Sequence, residues 1–275
     1  MSPPQEALQD TGERLLMDRP PTSREDHLNR LVHVATYDFA HAHVAGARVL
    51  DLGCGTGYGA ARVAQVAAHV VGADVCAEAL AHATGHNAAP NLTYSLLPRD
   101  GALPFEAGAF DVVLSFQVIE HLANPHAHLR EVSRVLAPGG TLLLATPNRH
   151  ARLLPFQRPW NRWHPTEYDH QSLQTLLRVH FPDVEVLDLS GDAAVVQPLL
   201  RRYRWLAWAT LPVTLPGLPE ALRVGGLGLL RRLQSLRRPV RDGAGFVAAA
   251  GDIRIAPGLT PSLHLVAVAR LPAGS

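Results

Sequence analysis

The chain of 275 residues predicts an α/β fold. The expected architecture is a seven-stranded, mostly parallel sheet with helices on both faces and an arginine-rich helical insertion between the last two strands. Three observations predict it. From residue 47 onward short apolar runs alternate with helical patterns, the order that builds strand–helix–strand units. The run 110–116, FDVVLSF, is continuously apolar, as a strand buried on both faces should be. A glycine-rich turn follows the first run, beyond a strand's carboxyl end, where open α/β sheets bind ligands.

The first strand is 47–52 (ARVLDL), with a helix reaching about residue 68. A second strand, 69–74 (HVVGAD), leads into a helix over 76–86, and 91–97 is the third strand. The fourth strand, 110–116, precedes a helix over 124–136; Pro138-Gly-Gly then turns the chain into a fifth strand, 141–146 (TLLLAT). A helix over 172–180, a sixth strand at 184–189 and a last strand at 263–270 complete the pattern. The organisation is therefore N-terminal cap helices (1–45), a ligand-binding core (46–190), a basic insertion or lid (191–260), and the last strand with a tail (261–275).

Composition excludes several chemistries. All 25 cationic side chains are arginine, so no lysine exists to form a Schiff base, to serve a Walker A loop or to act on a kinase β-strand. Cys54 and Cys76 are too few for a disulfide framework or a four-thiolate zinc site. The first residues lack the apolar stretch of a signal peptide, and no apolar run is long enough for a spanning helix, so a cytoplasmic location is expected. The net charge of +1 conceals an asymmetry: 199–241 holds nine arginines (201, 202, 204, 223, 231, 232, 237, 238, 241) against Glu220 alone. That segment is strongly basic on an acidic body.

The sharpest feature is VLDLGCGTGYG at 49–59. Gly53, Gly55 and Gly57 allow a tight turn and close backbone approach to a ligand. A dinucleotide loop would need a third glycine where Tyr58 stands, and Asp51 beside the turn would repel a pyrophosphate but attract an ammonium group. Asp74, ending the second strand, suits a pair of ribose hydroxyls. A ligand with ribose hydroxyls and an amino group but no phosphates is S-adenosylmethionine.

With these motifs the chain resembles a class I S-adenosylmethionine-dependent methyltransferase of the type 11/12 kind, whose fold is Rossmann-like. The likeness covers roughly 30–190 and the last strand, through 49–59, Asp74, Asp100-Gly101-Ala102, FDVVLSFQVIEHL (110–122) and RVLAPGGTLLLATPN (134–148). Ala137 stands where lysine is usual. The resemblance implies a cofactor site of Tyr37, Asp51, Gly53, Cys54, Gly55, Gly57, Asp74, Val75, Asp100, Gly101, Ala102, Ser115, Phe116 and Gln117. The flanks, Gly12-Glu-Arg14, HVATY (33–37) and NRWHPTEY (161–168), are similar to bacterial enzymes found with polysaccharide and lipid-linked glycan genes. In those, the tyrosine at position 37 caps the methionine end of the cofactor, and Thr36 here replaces an arginine.

Methyl transfer to a hydroxyl needs a general base. Four residues beyond strand ends are candidates: His164, preferred for its neutral-range pKa, then His121, with Glu120 and Glu167 beside them. A purely structural role for Glu120-His121 is an equal alternative. Ubiquinone-type O-methyltransferases hold a divalent metal on Glu-x-x-Glu-His; Gln117 at the first position removes a charge, and no metal is expected. Two readings of the insertion stand open, a lid packed on the domain or peripheral contact with anionic lipid through 199–241 at the inner membrane face. The expected function is methylation of a small-molecule or glycan/lipid-linked acceptor at oxygen. The alternatives are a non-catalytic binding protein of this fold, or methylation at carbon or nitrogen. A nucleic-acid partner is disfavoured by the acidic body, and the oligomeric state stays open.

Overall fold

The computed structural model describes residues 17, 20–21, 23–235 and 249–274. The Gly12-Glu-Arg14 motif and Arg237, Arg238 and Arg241 lie outside them. In chain order the elements are α1 (Arg24–Val44), β1 (Arg48–Leu52), α2 (Tyr58–Val63), β2 (His69–Asp74), α3 (Ala77–His86), β3 (Leu92–Leu96) and β4 (Phe110–Phe116). They continue with α4 (Pro125–Val135), β5 (Leu136–Pro147), α5 (Arg149–Arg152), α6 (His170–Arg178), β6 (Asp183–Gly191), α7 (Ala193–Thr214), α8 (Glu220–Ser235), β7 (Ile253–Ala256) and β8 (His264–Arg270). One sheet runs β3-β2-β1-β4-β5-β8-β6-β7, parallel through β5, with β8 antiparallel to both β5 and β6.

The strand sequences dictate a core on both sheet faces, because successive side chains point to opposite sides. Val49, Leu114, Leu143 and Val266 pack on one side with α1, α2 and α7. Leu50, Val113, Leu142, Leu144 and Leu265 pack on the other with α4 and α6. Local signals start the helices on that second side. Asn124 accepts from the Ala127 amide with Pro125 in the first turn of α4, and Asp169 and Ser172 form a reciprocal capping box on α6.

Two expectations are corrected. The sheet has eight strands, because β7 pairs antiparallel with β6 from Asp188↔Ala256 to Gly191↔Ile253. This strand is four residues long and half-exposed, so it lacks a continuous apolar run. It joins the sheet at an edge, and Arg254 there pairs with Asp192. Pro138-Gly-Gly is not a turn preceding a strand but an irregularity within β5. Phe110 pairs Leu136 and Val112 pairs Thr141, so β5 bulges against β4.

The basic segment is tied to the domain. α7 buries Val195, Val196, Leu199 and Tyr203 in the sheet-face core, and Arg202 pairs with Glu25 on α1. Near Pro212, which lacks the N–H a helix needs, the buried Gln157 amide donates to Ala207 O at 2.8 Å and Thr214 Oγ1 at 2.8 Å. Arg223 on α8 is itself buried, donating to Pro159 O at 2.8 Å and pairing with Glu220.

Candidate active site

A cavity of about 730 Å³ opens beyond the carboxyl ends of β1, β2 and β4. Of the residues expected on the cofactor, Tyr37, Gly53, Cys54, Gly55, Asp74, Val75, Gly101, Ala102, Phe116 and Gln117 line it. Asp51, Gly57, Asp100 and Ser115 do not line it. Asp100 is exposed and accepts from the Ala102 amide at 3.1 Å, shaping the loop that carries Gly101 and Ala102. Ser115 is fully buried, 3.4 Å from Nε2 of His128, which does line the cavity.

Asp51 is also buried, and both its oxygens accept from the Tyr37 hydroxyl, at 3.1 and 3.2 Å. Its charge reaches the cavity through Tyr37, whose ring meets Tyr58 and Phe116 edge-on at 5.5 and 5.0 Å. Gly59 permits this arrangement: a Cβ there would lie 1.9 Å from Cζ of Tyr37. Asp74 locks the glycine turn from the other side, accepting from the Gly55 amide at 2.9 Å and the Cys76 amide at 2.9 Å. Gly55 has φ +55, and a Cβ on it would meet no protein atom within 4 Å. The turn therefore leaves room at a cavity wall lined by the Asp74 carboxylate, with Asp51 behind the lining Tyr37, which fits a ligand carrying an ammonium group and ribose hydroxyls.

Burial pushes the Asp51 carboxyl up to about 7, against the lowering effect of the Tyr37 hydrogen bond. The ionised form attracts a cation, so affinity for an ammonium-bearing ligand is expected to fall as pH drops through 7. Titration calorimetry at pH 6 should give weaker binding of S-adenosylmethionine than at pH 8, by about five- to tenfold. Asp51→Asn should abolish the difference and Glu120→Gln should retain it. An equal affinity at both pH values would remove Asp51 from cofactor binding.

The catalytic candidates come together but are not equivalent. His121 lines the cavity; His164, Glu120 and Glu167 do not. A single turn of 3-10 helix, Ile119–His121, follows β4 and sets His121 Nδ1 at 3.1 Å from the carbonyl of Trp163. A carbonyl only accepts, so Nδ1 carries the proton and Nε2 is the basic nitrogen of the neutral ring. His164 lies edge-on to His121, with ring centres 4.7 Å apart, and is buried with its Nδ1 3.0 Å from Glu167. Burial disfavours the Glu167 carboxylate, but the Arg152 guanidinium at 3.0 Å, together with His164, holds its pKa below the ordinary value. Arg152 is packed over the rings of Trp160 and Tyr203. Glu120 is buried, accepts from the Thr146 hydroxyl at 3.0 Å and has its pKa pushed up to about 7 by burial.

Although no metal is expected from the sequence, Glu120, His121 and His164 each offer a ligand atom, all within 4.8 Å of one another. The spacing Gln117…Glu120-His121 could not reveal this trio, because His164 comes from the chain beyond β5. Gln117 turns away, its amide donating to His264 Nδ1 at 3.2 Å. It is also the one non-glycine residue with positive φ (58°) among the described residues, a strained position at the end of β4.

His33, Tyr58, His128 and Trp163 also line the cavity, beyond the residues that the resemblance implies. His33 and Tyr58 belong to the 33–37 and 49–59 motifs; their link, 2.8 Å between the Tyr58 hydroxyl and His33 Nδ1, joins residues 25 apart and needs the fold. His128 lies on the cavity-facing side of a helix whose pattern marks only its leucine and valine face.

A methyltransferase-domain family profile matches residues 50–144. A Mycolicibacterium smegmatis protein described as "Probable S-adenosylmethionine-dependent methyltransferase" is 36% identical over 179 residues, covering 65% of this chain and 67% of that protein. A Paraburkholderia xenovorans "Ubiquinone biosynthesis O-methyltransferase" is 34% identical over 115 residues, 41% of this chain and half (50%) of that enzyme. Among solved structures, the [4+2]-cyclase SpnF superposes with a TM-score of 0.56 at 22% identity, covering 94% of this chain and 86% of the cyclase. A Thermotoga maritima S-adenosylmethionine-dependent methyltransferase superposes with a TM-score of 0.55 at 14% identity, covering 90% of this chain and 92% of that one. At these identities the two superpositions speak for the fold alone.

Proposed function

The chain belongs to the S-adenosylmethionine-dependent methyltransferases, and we propose that it moves the methyl group to an oxygen of a small-molecule or glycan/lipid-linked acceptor. Bound in the cleft, S-adenosylmethionine supplies an activated methyl group on a sulfonium. Asp74 would accept from the ribose hydroxyls, and Tyr37 with Asp51 beneath it would hold the ammonium end. The Gly101-Ala102 loop would border the adenine.

The observation that carries the oxygen acceptor is His121. Its ring sits at the cavity wall with Nδ1 engaged by the Trp163 carbonyl, so Nε2 is the nitrogen suited to take a hydroxyl proton. His164, Glu167 and Arg152 form a buried stack behind it and act as positioning residues. The partial similarity to ubiquinone O-methyltransferases supports the same acceptor atom.

Methyl-labelled S-adenosylmethionine incubated with the protein and an extract of its source cells, followed by mass spectrometry, tests the reading. Label is expected on an oxygen of one small-molecule or lipid-linked component. Label on nitrogen or carbon overturns the oxygen assignment. Cofactor binding with no labelled component favours a binding protein of the same fold.

A further inference from the structure

We propose that the outer face of α7 is a docking surface for an anionic lipid bilayer. An ordinary surface helix buries one apolar stripe and presents a polar one to water. On α7 the buried stripe runs through Val195, Val196, Leu199, Tyr203, Leu206 and Thr210. The opposite face nevertheless carries two large aromatic side chains in water: Trp205 and Trp208 are 53% and 62% exposed. The exposed side chains of Arg201 and Arg204 fall beside them at helical spacing. On α8, packed against α7, Leu222 and Leu229 are 61% and 59% exposed.

Charge identifies the occupant. No acidic residue occurs between Asp192 and Glu220, although the body outside 199–241 is net acidic. Indole rings favour the headgroup level of a bilayer, and arginines among them are drawn to anionic lipid. The patch is a convex helix face rather than a groove, so it suits a soft planar surface better than an inserted peptide. No helix among the described residues is long and apolar enough to cross a membrane, which leaves contact in the plane of the interface.

The surface is joined to the site by the other side of the same helix. Tyr203 packs beside Trp160, with ring centres 6.2 Å apart, and under Arg152, which holds Glu167. A bilayer against Trp205 and Trp208 thus lies on the far side of the helix whose inner face holds Tyr203 against Trp160 and Arg152. The inference stands independently of which atom receives the methyl group.

Co-sedimentation of the full chain with phosphatidylcholine vesicles, with and without phosphatidylglycerol, tests it. Wild type is expected to bind only the vesicles containing phosphatidylglycerol, and less as salt rises. Trp205→Ala/Trp208→Ala should lose roughly tenfold or more of that binding, and Arg201→Gln/Arg204→Gln should lose the preference for anionic vesicles. Both variants should bind S-adenosylmethionine with wild-type affinity, which certifies their fold independently of acceptor chemistry. Absent vesicle binding, or equal binding by wild type and the tryptophan variant, overturns the proposal. So does a concentration-dependent dimer in sedimentation velocity that the tryptophan variant loses, since the face then belongs to a second copy of the chain.

Discussion

Asp74→Ala is expected to weaken S-adenosylmethionine binding by roughly ten- to a hundredfold, the loss of about 1.5–3 kcal/mol that a hydrogen-bonded charged group contributes. Two effects combine at this residue. Its carboxylate bridges the Gly55 and Cys76 amides, so its removal loosens the glycine turn. The same group lines the cavity, where it would accept from the ribose hydroxyls. Titration calorimetry with S-adenosylmethionine and with its demethylated product measures the loss. Asp74→Asn keeps the shape but loses the charge and should fall between wild type and alanine. An unchanged affinity in Asp74→Ala would remove the ribose assignment.

His121→Ala is expected to lower kcat by about a hundredfold or more, within the range that a positioned general base contributes, while cofactor affinity stays near wild type. His164→Ala should act less strongly, because that ring is buried on Glu167 and does not line the cavity. Steady-state kinetics of both variants on the labelled acceptor decide the order. A larger loss at His164 would reinstate the preference drawn from the sequence. Assays with and without a chelator separate a base from a metal ligand, since the Glu120, His121 and His164 atoms lie close enough to share an ion. Activity that survives chelation is the expected result.

Much of the fold was legible because parallel strands buried on both faces leave long apolar runs, as in 110–116 and 141–146. β7 was hidden because a short edge strand pairs through its backbone and can carry Arg254 among its residues. The glycine turn and its two acids were legible as a local pattern, for a tight turn constrains residues adjacent in sequence. The burial of Asp51 under the Tyr37 hydroxyl was not, nor the need for Gly59 beneath that ring. The first depends on Tyr37 of α1 reaching Asp51 on β1, the second on α1 packing against α2, contacts between separate elements.

The sequence by itself determined the strand–helix order, the glycine turn with Asp51 and Asp74, and the basic character of 199–241. These are written in composition and short-range spacing. Only the tertiary structure decided that His121 rather than His164 faces the cavity, that Gln117 turns to His264, and that Arg223 is buried while Trp205 and Trp208 are exposed. The reason is geometric. Periodicity shows which residues share a face of an element, but which face is covered depends on the chain packed against it.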